Sequence, residues 1–405
     1  MDLQSILSSV LDEAYLPNEY PALAALEAEW SRSRPFDGLR LLVATPIYRN
    51  TMTQYRALLA GGATLLVGFS GMNDGEVVDF LKDWGVSVVT LAEMLEAESR
   101  GEFVDLVLDC AGAFASLHPK IGFVELTRSG VQYYKNAKKP VYVADSGIVK
   151  RIETSLGTGD GYFRALEKLG FGGVSGNASE NGFEGKRLLV FGSGKVGSGI
   201  ALQGVRRGCC VSVVTDLKRF GTATASASGS SVPPEKMPAG DFSPMLSQNG
   251  VEVVDCHDYA SVVSLICSSD FVVTATGVKN ALAVRELTAA LLTSQAVLAN
   301  MGVEDEYGEA IPAERVLNAK GPLNFILEEP THLKYIDTSL ALHAALAELL
   351  VQESSRTENR DAVSDDACSG LRFPPQEIEQ RLLSIAVQDG VIGPEICGML
   401  GFSPE

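Results

Sequence analysis

The sequence predicts an α/β protein in two units, and three observations carry that reading. Short apolar runs of strand length alternate with helical stretches throughout the chain. Those runs fall into two series, separated by the glycine-, asparagine- and serine-rich piece "GFGGVSGNASENGFEG" (170–185), which reads as a hinge or linker. The second series opens on "FGSGKVGSGI" (191–200), a glycine pattern lodged between a strand and a helix.

The first series begins with "LRLLVAT" (39–45) and "ATLLVGFS" (63–70), then "VSVVTL" (86–91), "VDLVLDC" (104–110) and "PVYVADS" (140–146). These are apolar enough to be buried on both faces, as parallel strands are. Helical segments such as "TQYRALLAG" and "GEVVDFLKDWG" lie between them. The second series runs through "KRLLVFG" (186–192), "CCVSVVTD" (209–216), "VEVVD" (251–255), "DFVVTATG" (270–277) and "QAVLANMG" (295–302). Residues 221–250 and 352–370 show little periodicity and read as mobile insertions.

Composition narrows the function classes. With 405 residues, 46 % of them hydrophobic, the chain can bury two or three cores. Its 33 basic against 51 acidic residues, a net charge of −18, oppose binding to nucleic acid or an anionic membrane. The start, "MDLQSILSSVLDEAYL", lacks the basic flank of a signal peptide, and no apolar run reaches membrane-span length. Seven scattered cysteines without a CxxC pair fit a reducing compartment, so a cytoplasmic location is expected.

The glycine pattern is Gly192, Gly194 and Gly197, followed 19 residues later by Asp216 at the end of the next apolar run. In a dinucleotide-binding turn the first glycine permits the bend, the second lets backbone approach a pyrophosphate, and the third allows close helix packing. Asp216 is placed to accept from an adenosine ribose, which favours NAD, although Lys218 and Arg219 could meet a 2′-phosphate.

The run "GSGKVGSG" resembles the glycine loop of the S-adenosyl-L-homocysteine hydrolase family. Further segments follow in the family's order: "GFVELTRSGV" (122–131), "ADSGIVKRIETSLGTGDGYFRAL" (144–166), "VVTATG" (272–277), "ANMGVEDE" (299–306) and "LRFPPQEIEQRLLSIAV" (371–387). The resemblance implies a substrate domain over 1–165 completed by 338–370, and a Rossmann domain over 185–337. It also implies a C-terminal oligomerisation segment over 371–405, a tightly held NAD, and a homodimer or homotetramer.

Several catalytic positions of that family hold other residues here. Leu126 stands for the second glutamate of its Glu-Glu pair, Val149 for its lysine and Val303 for a histidine, with Cys110 and Pro46 in substrate-binding slots. The chain also ends at "GFSPE", ahead of the family's Lys- and Tyr-bearing tail. One missing acid or base costs roughly 10²–10⁴ in rate, so the parent hydrolysis is not the expected activity. The resemblance carries the cofactor residues over better: Gly192, Gly194, Lys195, Val196, Gly197, Asp216, Thr127, Thr276, Gly277, Met301, Gly302 and Asn324.

Four residues are candidates for altered chemistry. Lys150, one position beyond the family's lysine slot, is either a base or a surface lysine; Glu153 positions or activates a hydroxyl, or is a plain carboxylate. Glu125 holds structure or chemistry, and Cys110 ends a strand as a buried thiol. The four histidines are too separated to suggest a metal set, so no metal is expected; His118 is the one to test as a pocket residue, and His343 packs on a helix face. Tyr133, Tyr134 and Lys135 form only a weak dehydrogenase-like pattern.

The function expected is net or transient hydride transfer, with NAD, on a small polar substrate other than homocysteine conjugates, in specialised metabolism. The alternatives are a catalytically silent NAD-binding regulatory or assembly protein, and the parent hydrolase with a reorganised site.

Overall fold

Along the chain run the strands β1 (Arg40–Val43), β2 (Thr64–Gly68), β3 (Ser87–Val89), β4 (Leu106–Asp109), β5 (Gly122–Glu125) and β6 (Pro140–Val143). Then come β7 (Arg187–Phe191), β8 (Cys210–Thr215), β9 (Glu252–Asp255), β10 (Phe271–Thr274), β11 (Val297–Asn300) and β12 (Gly370–Arg372). The computed structural model describes residues 3–71, 73–172, 182–220, 246, 249–358 and 370–400. Most of the expected linker at 170–185 and of the expected insertions at 221–250 and 352–370 lies outside those residues.

Two compact units emerge: residues 1–152 with 332–405, and residues 153–331. The first is built on a seven-stranded parallel sheet in the order β12-β6-β5-β4-β1-β2-β3, the second on a five-stranded parallel sheet in the order β11-β10-β7-β8-β9. In each, the first strand lies in the interior, two successors follow on one side and the chain then crosses to the other. That is doubly wound order, whose reversal leaves a crevice at the strands' carboxyl ends. The interior strands β4, β5 and β10 are buried at every residue, which explains their lack of polar alternation.

The unit boundaries differ from those the resemblance implied. Residues 153–172 go with the second unit because the helix Thr158–Lys168 lies against the helix Lys195–Arg206 at glycine: a Cβ on Gly159 would stand 2.4 Å from the Gly199 carbonyl oxygen. Residues 371–405 do not form a separate segment in this division, since β12 extends the first sheet beside β6. The strands β5 and β12 are the two that apolar runs did not reveal, being "GFVE" and "GLR".

The first unit's core includes Trp30, Phe36, Tyr55 and Leu58, closed by the long helix Leu333–Glu358. From Leu340 to Ala347 that helix is buried all round, as its nearly unbroken apolar sequence requires. Asp337 near its start is also buried, and its carboxylate accepts the Ala22 and Leu23 N–H groups at 2.9 and 3.0 Å. It thereby caps the helix Pro21–Ser33, whose own N-cap side chain supplies no hydrogen bond. Asp337→Ala is expected to cost about 2 kcal/mol, read as a lowered urea midpoint.

Candidate functional site

In the second unit β7 runs into Gly192 at φ 107°, a conformation that strains any residue with a Cβ. A Cβ there would also stand 2.5 Å from the Ala275 carbonyl oxygen, because the end of β10 passes close beside the turn. Gly197 is required by packing as well: its Cβ would fall 1.9 Å from the Gly192 carbonyl oxygen. Gly194 is different. Its φ of −70° is ordinary, and a Cβ would meet nothing within 4 Å. The middle glycine therefore keeps space clear outside the protein's own packing.

That space lies at the start of the helix Lys195–Arg206, where Gly194 is the N-cap and offers no side-chain acceptor to the first-turn N–H groups. Those donors and the positive end of the helix dipole suit an anion. The turn is pinned from behind: Ser193 Oγ shares a hydrogen bond with Thr215 Oγ1 at 2.8 Å, and Ser198 Oγ donates to the Ser193 carbonyl at 2.8 Å. Asp216 follows β8 directly, partly exposed, with Oδ1 accepting the Lys218 N–H at 3.1 Å. The residues present thus fit a pyrophosphate at Gly194 and a ribose hydroxyl at Asp216.

The other half of the same edge is organised by two residues that sequence reasoning missed. Glu306 is fully buried and accepts from Thr276 N–H at 2.9 Å, Thr276 Oγ1 at 2.7 Å and Gly277 N–H at 2.7 Å. Gly302 gives it room, since a Cβ there would stand 2.2 Å from Glu306 Oε1. Asn300, also fully buried, donates Nδ2 to the carbonyls of Gly302, Glu304 and Lys320, while its Oδ1 accepts from Thr274 Oγ1 and Gly302 N–H. Every hydrogen-bonding capacity of that amide is used, which fixes the loop after β11. Both residues lie in "ANMGVEDE" (299–306), Asn300 at the end of an apolar run and Glu306 in an acidic stretch that looks like solvated loop.

Met301 is buried there, its N–H bonded to the Thr274 carbonyl at 2.8 Å. Asn318, Ala319 and Lys320 are all left-handed, a strained run closed by the Lys320 to Asp305 ion pair at 2.9 Å. Asn324 is buried with its Cβ near Gly161, and Lys195 and Val196 are partly exposed on the first helical turn.

The first unit gathers its polar residues at the carboxyl ends of β4 and β5. Glu125 is fully buried, and its carboxylate takes Ala111 N–H at 2.9 Å, Gly112 N–H at 3.0 Å, Thr127 N–H at 2.7 Å and Thr127 Oγ1 at 2.6 Å. This occupies the Thr127 hydroxyl and gives Glu125 a clear part in shaping the loop 110–130. Asp109 beside it accepts from Cys110 N–H, Phe114 N–H and the Tyr134 hydroxyl. Burial, with Glu125 nearby, pushes Asp109 up to about 7 against those hydrogen bonds. Tyr134 is thus committed to Asp109, while Tyr133 faces solvent.

Lys150 proves to be 3 % exposed, which excludes the reading as a surface lysine. Its charge reaches His343, which is fully buried, with Nε2 at 2.9 Å from the Val124 carbonyl and Nδ1 at 3.2 Å from Gln54 Nε2. These partners assign the proton to Nε2. Burial, opposed by the Val124 bond and assisted by Lys150, lowers His343 to about 4. An unfolded histidine titrates near 6.5, so this contribution to stability is complete above 6.5 and is lost as pH falls through 4. Relative to His343→Gln, the protein is expected to lose about 3 kcal/mol between pH 7 and pH 4 in urea titrations.

Glu153 belongs to the second unit, partly buried in the π-helical stretch Ile152–Gly157. π-Turns are rare and favour functional segments. Cys110 is buried as expected. His118 does not line a pocket: its side chain is 74 % exposed and its Nδ1 lies 3.1 Å from Glu98. The four histidines are too separated in sequence to suggest a metal set, yet the fold sets His257 with Asp216, Asp255 and Cys256.

No protein-family model matches the chain, and no curated protein matches it. Solved structures do. A chain of dipicolinate synthase from Bacillus halodurans is 15 % identical, over 78 % of this chain and 99 % of that one, at a TM-score of 0.43. A transhydrogenase from Sinorhizobium meliloti is 14 % identical, over 77 % and 94 % respectively, at a TM-score of 0.42. At these TM-scores the likeness carries no function, and none of the comparisons assigns the chain to the homocysteine hydrolases. The fold rests on strand order, the site on its own geometry. Among the described residues no helix is long and apolar enough to cross a membrane.

Proposed function

We propose that the second unit binds NAD along the carboxyl edge of its sheet and that the chain is an enzyme working by net or transient hydride transfer. The observation that carries this is the division of labour among three glycines: Gly192 and Gly197 are demanded by packing, whereas a Cβ on Gly194 would meet nothing and its absence only keeps the approach to a helix N-terminus open. Asp216 supports a ribose with a free 2′-hydroxyl over a 2′-phosphate. When bound, NAD would supply a hydride acceptor for a secondary alcohol or amine carbon, and an oxidised carbon acidifies its neighbour.

The chain's own residues would do the rest. The first-turn N–H groups of Lys195–Arg206 hold a pyrophosphate, Asp216 orients a ribose, and the Asn300 and Glu306 hydrogen bonds keep the loops at Thr276 and Met301 in place. Lys150 is the group we assign to proton transfer, since a buried amine shifts its proton readily. The resemblance to S-adenosyl-L-homocysteine hydrolases is consistent with a captive cofactor, but the replaced acids and bases favour a different small polar substrate.

The test is to denature the purified protein and identify the released nucleotide by mass and absorbance. Stoichiometric NAD or NADH supports a captive cofactor and redox-neutral chemistry. An empty protein that titrates with NAD supports an exchanging dehydrogenase, and absence of any binding overturns the reading. Once a substrate is found, Lys150→Ala with Glu153→Ala should abolish turnover and leave NAD binding intact. Unchanged turnover would remove Lys150 and Glu153 from the chemistry, and NAD binding with no substrate turned over by the parent would point to a silent binding protein.

A further inference from the structure

At the carboxyl ends of β8 and β9, Asp216, Asp255, Cys256 and His257 each offer one ligand atom, and all four atoms lie within 4.8 Å of one another. The register brings this about. Thr215 pairs with Asp255, and the Cys256 N–H donates to the Thr215 carbonyl at 2.8 Å, so the ladder runs one residue past the strand and sets Cys256 beside Asp216. The His257 N–H then turns back to Asp255 Oδ1 at 3.1 Å, which leaves His257 Nε2 at 3.8 Å from Asp216 Oδ1. Asp258 caps the helix Tyr259–Ser268 through Ser261, so the corner is held by strand on one side and helix on the other.

We propose that these four side chains form a site for a zinc-type divalent cation, and that cation and dinucleotide exclude one another because both use Asp216. The second half rests on the NAD reading; the first does not.

The donor set selects the metal. A thiolate, an imidazole and carboxylates are the ligands of four-coordinate Zn²⁺, whereas Ca²⁺ and Mg²⁺ require six or more oxygens. Ligand atoms around zinc, at bond lengths of about 2.0–2.3 Å, stand roughly 3.3–3.8 Å apart. The four atoms therefore need to close by about an ångström, which side-chain rotation supplies, as His257 and Asp216 are 52 % and 34 % exposed. Without a cation, burial and the two carboxylates hold the Cys256 thiol above its ordinary range. A bound cation reverses that repulsion and releases the thiol proton to solvent.

The test uses the full chain, freed of nucleotide, titrated with Co²⁺. One equivalent should give tetrahedral d–d bands and a thiolate-to-cobalt charge-transfer band, both erased by Zn²⁺. Cys256→Ser should remove the charge-transfer band, and His257→Ala should weaken Co²⁺ at least as much as the ~10–100-fold that loss of an outer-shell partner costs. Both variants sit at a surface corner and should fold, and Zn²⁺ should raise Tm in the parent but not in Cys256→Ser. No band, or a band that persists in Cys256→Ser, overturns the metal site.

Saturating NAD should weaken Co²⁺ at least tenfold, and saturating Co²⁺ should in turn weaken NAD. If both bind independently, mutual exclusion is overturned while the metal site stands. If NAD fails to bind, the dinucleotide reading falls, and the cobalt spectra alone decide the metal.

Discussion

Gly197→Ala is expected to destabilise the second unit by about 3 kcal/mol or more, while Gly194→Ala leaves it folded and weakens the proposed NAD binding. The two glycines belong to one motif and are three residues apart, yet their surroundings differ. At position 197 the new methyl would press to 1.9 Å from a backbone oxygen, that of Gly192, which is itself fixed by a positive φ and by the passing end of β10. No side chain can rotate away to relieve it, so the cost is about 3 kcal/mol or more, a large share of a domain's usual stability. At position 194 the methyl meets no protein atom and the backbone is conventional, so stability should stay within about 1 kcal/mol.

Binding should respond in the opposite order. A methyl on residue 194 stands where a pyrophosphate would approach the first-turn N–H groups, and loss of one or two charge-assisted hydrogen bonds weakens NAD about 10–100-fold. Urea titrations followed by far-UV circular dichroism, paired with NAD titrations, check both halves. A Gly194→Ala protein that binds NAD like the parent would remove the observation on which the functional reading stands.

Why the glycine turn was legible in the sequence and its supports were not follows from what each depends on. Gly192, Gly194, Gly197 and Asp216 sit within one strand, turn, helix and strand, so their spacing is set locally and shows as a pattern. Ten of the twelve strands among the described residues showed for the same reason, each a short apolar run, although the edge strands β3 and β9 are only partly buried. β5 and β12 are too short and too mixed to show; their places come from pairing with β4 and β6 across many intervening residues. Glu306 looks like acidic loop in sequence and Asn300 like the end of an apolar strand, because the partners that fix them, Thr276 and Thr274 at the end of β10, lie more than twenty residues earlier. The Asp255, Cys256, His257 and Asp216 cluster was invisible for a related reason: it exists only because β8 and β9 pair in a particular register. Lys150 could not be judged from "VKRIE", since its burial depends on the tertiary packing around it.

Glu125→Ala is expected to destabilise the first unit by about 3–5 kcal/mol, and Glu306→Ala the second by a similar amount, because the two carboxylates do the same thing in two sheets of the same order. β4 neighbours β1 as β10 neighbours β7, and each is followed by a glycine at φ 69°, Gly112 and Gly277. The backbone N–H groups at Ala111 and Gly112, and at Thr276 and Gly277, converge on a buried carboxylate, that of Glu125 at the end of β5 or of Glu306 in the loop after β11, with a threonine hydroxyl completing each set. Removing the carboxylate takes the acceptor from Gly112, Thr276 and Gly277 and leaves the Ala111 N–H only the Thr127 hydroxyl.

Glutamine separates charge from shape. In Glu125→Gln the amide oxygen can replace Oε1, keeping the bonds from Ala111, Thr127 N–H and Thr127 Oγ1, while the new NH₂ confronts only the Gly112 N–H. A loss of about 1–2 kcal/mol is expected, well short of the alanine variant. The chain's two tryptophans, Trp30 and Trp84, both lie in the first unit, so tryptophan fluorescence reports on that unit and far-UV circular dichroism on both. The Glu125 variants should shift the fluorescence midpoint in urea more than Glu306→Ala does. Equal shifts would mean that the two sheets do not answer separately to their two buried carboxylates.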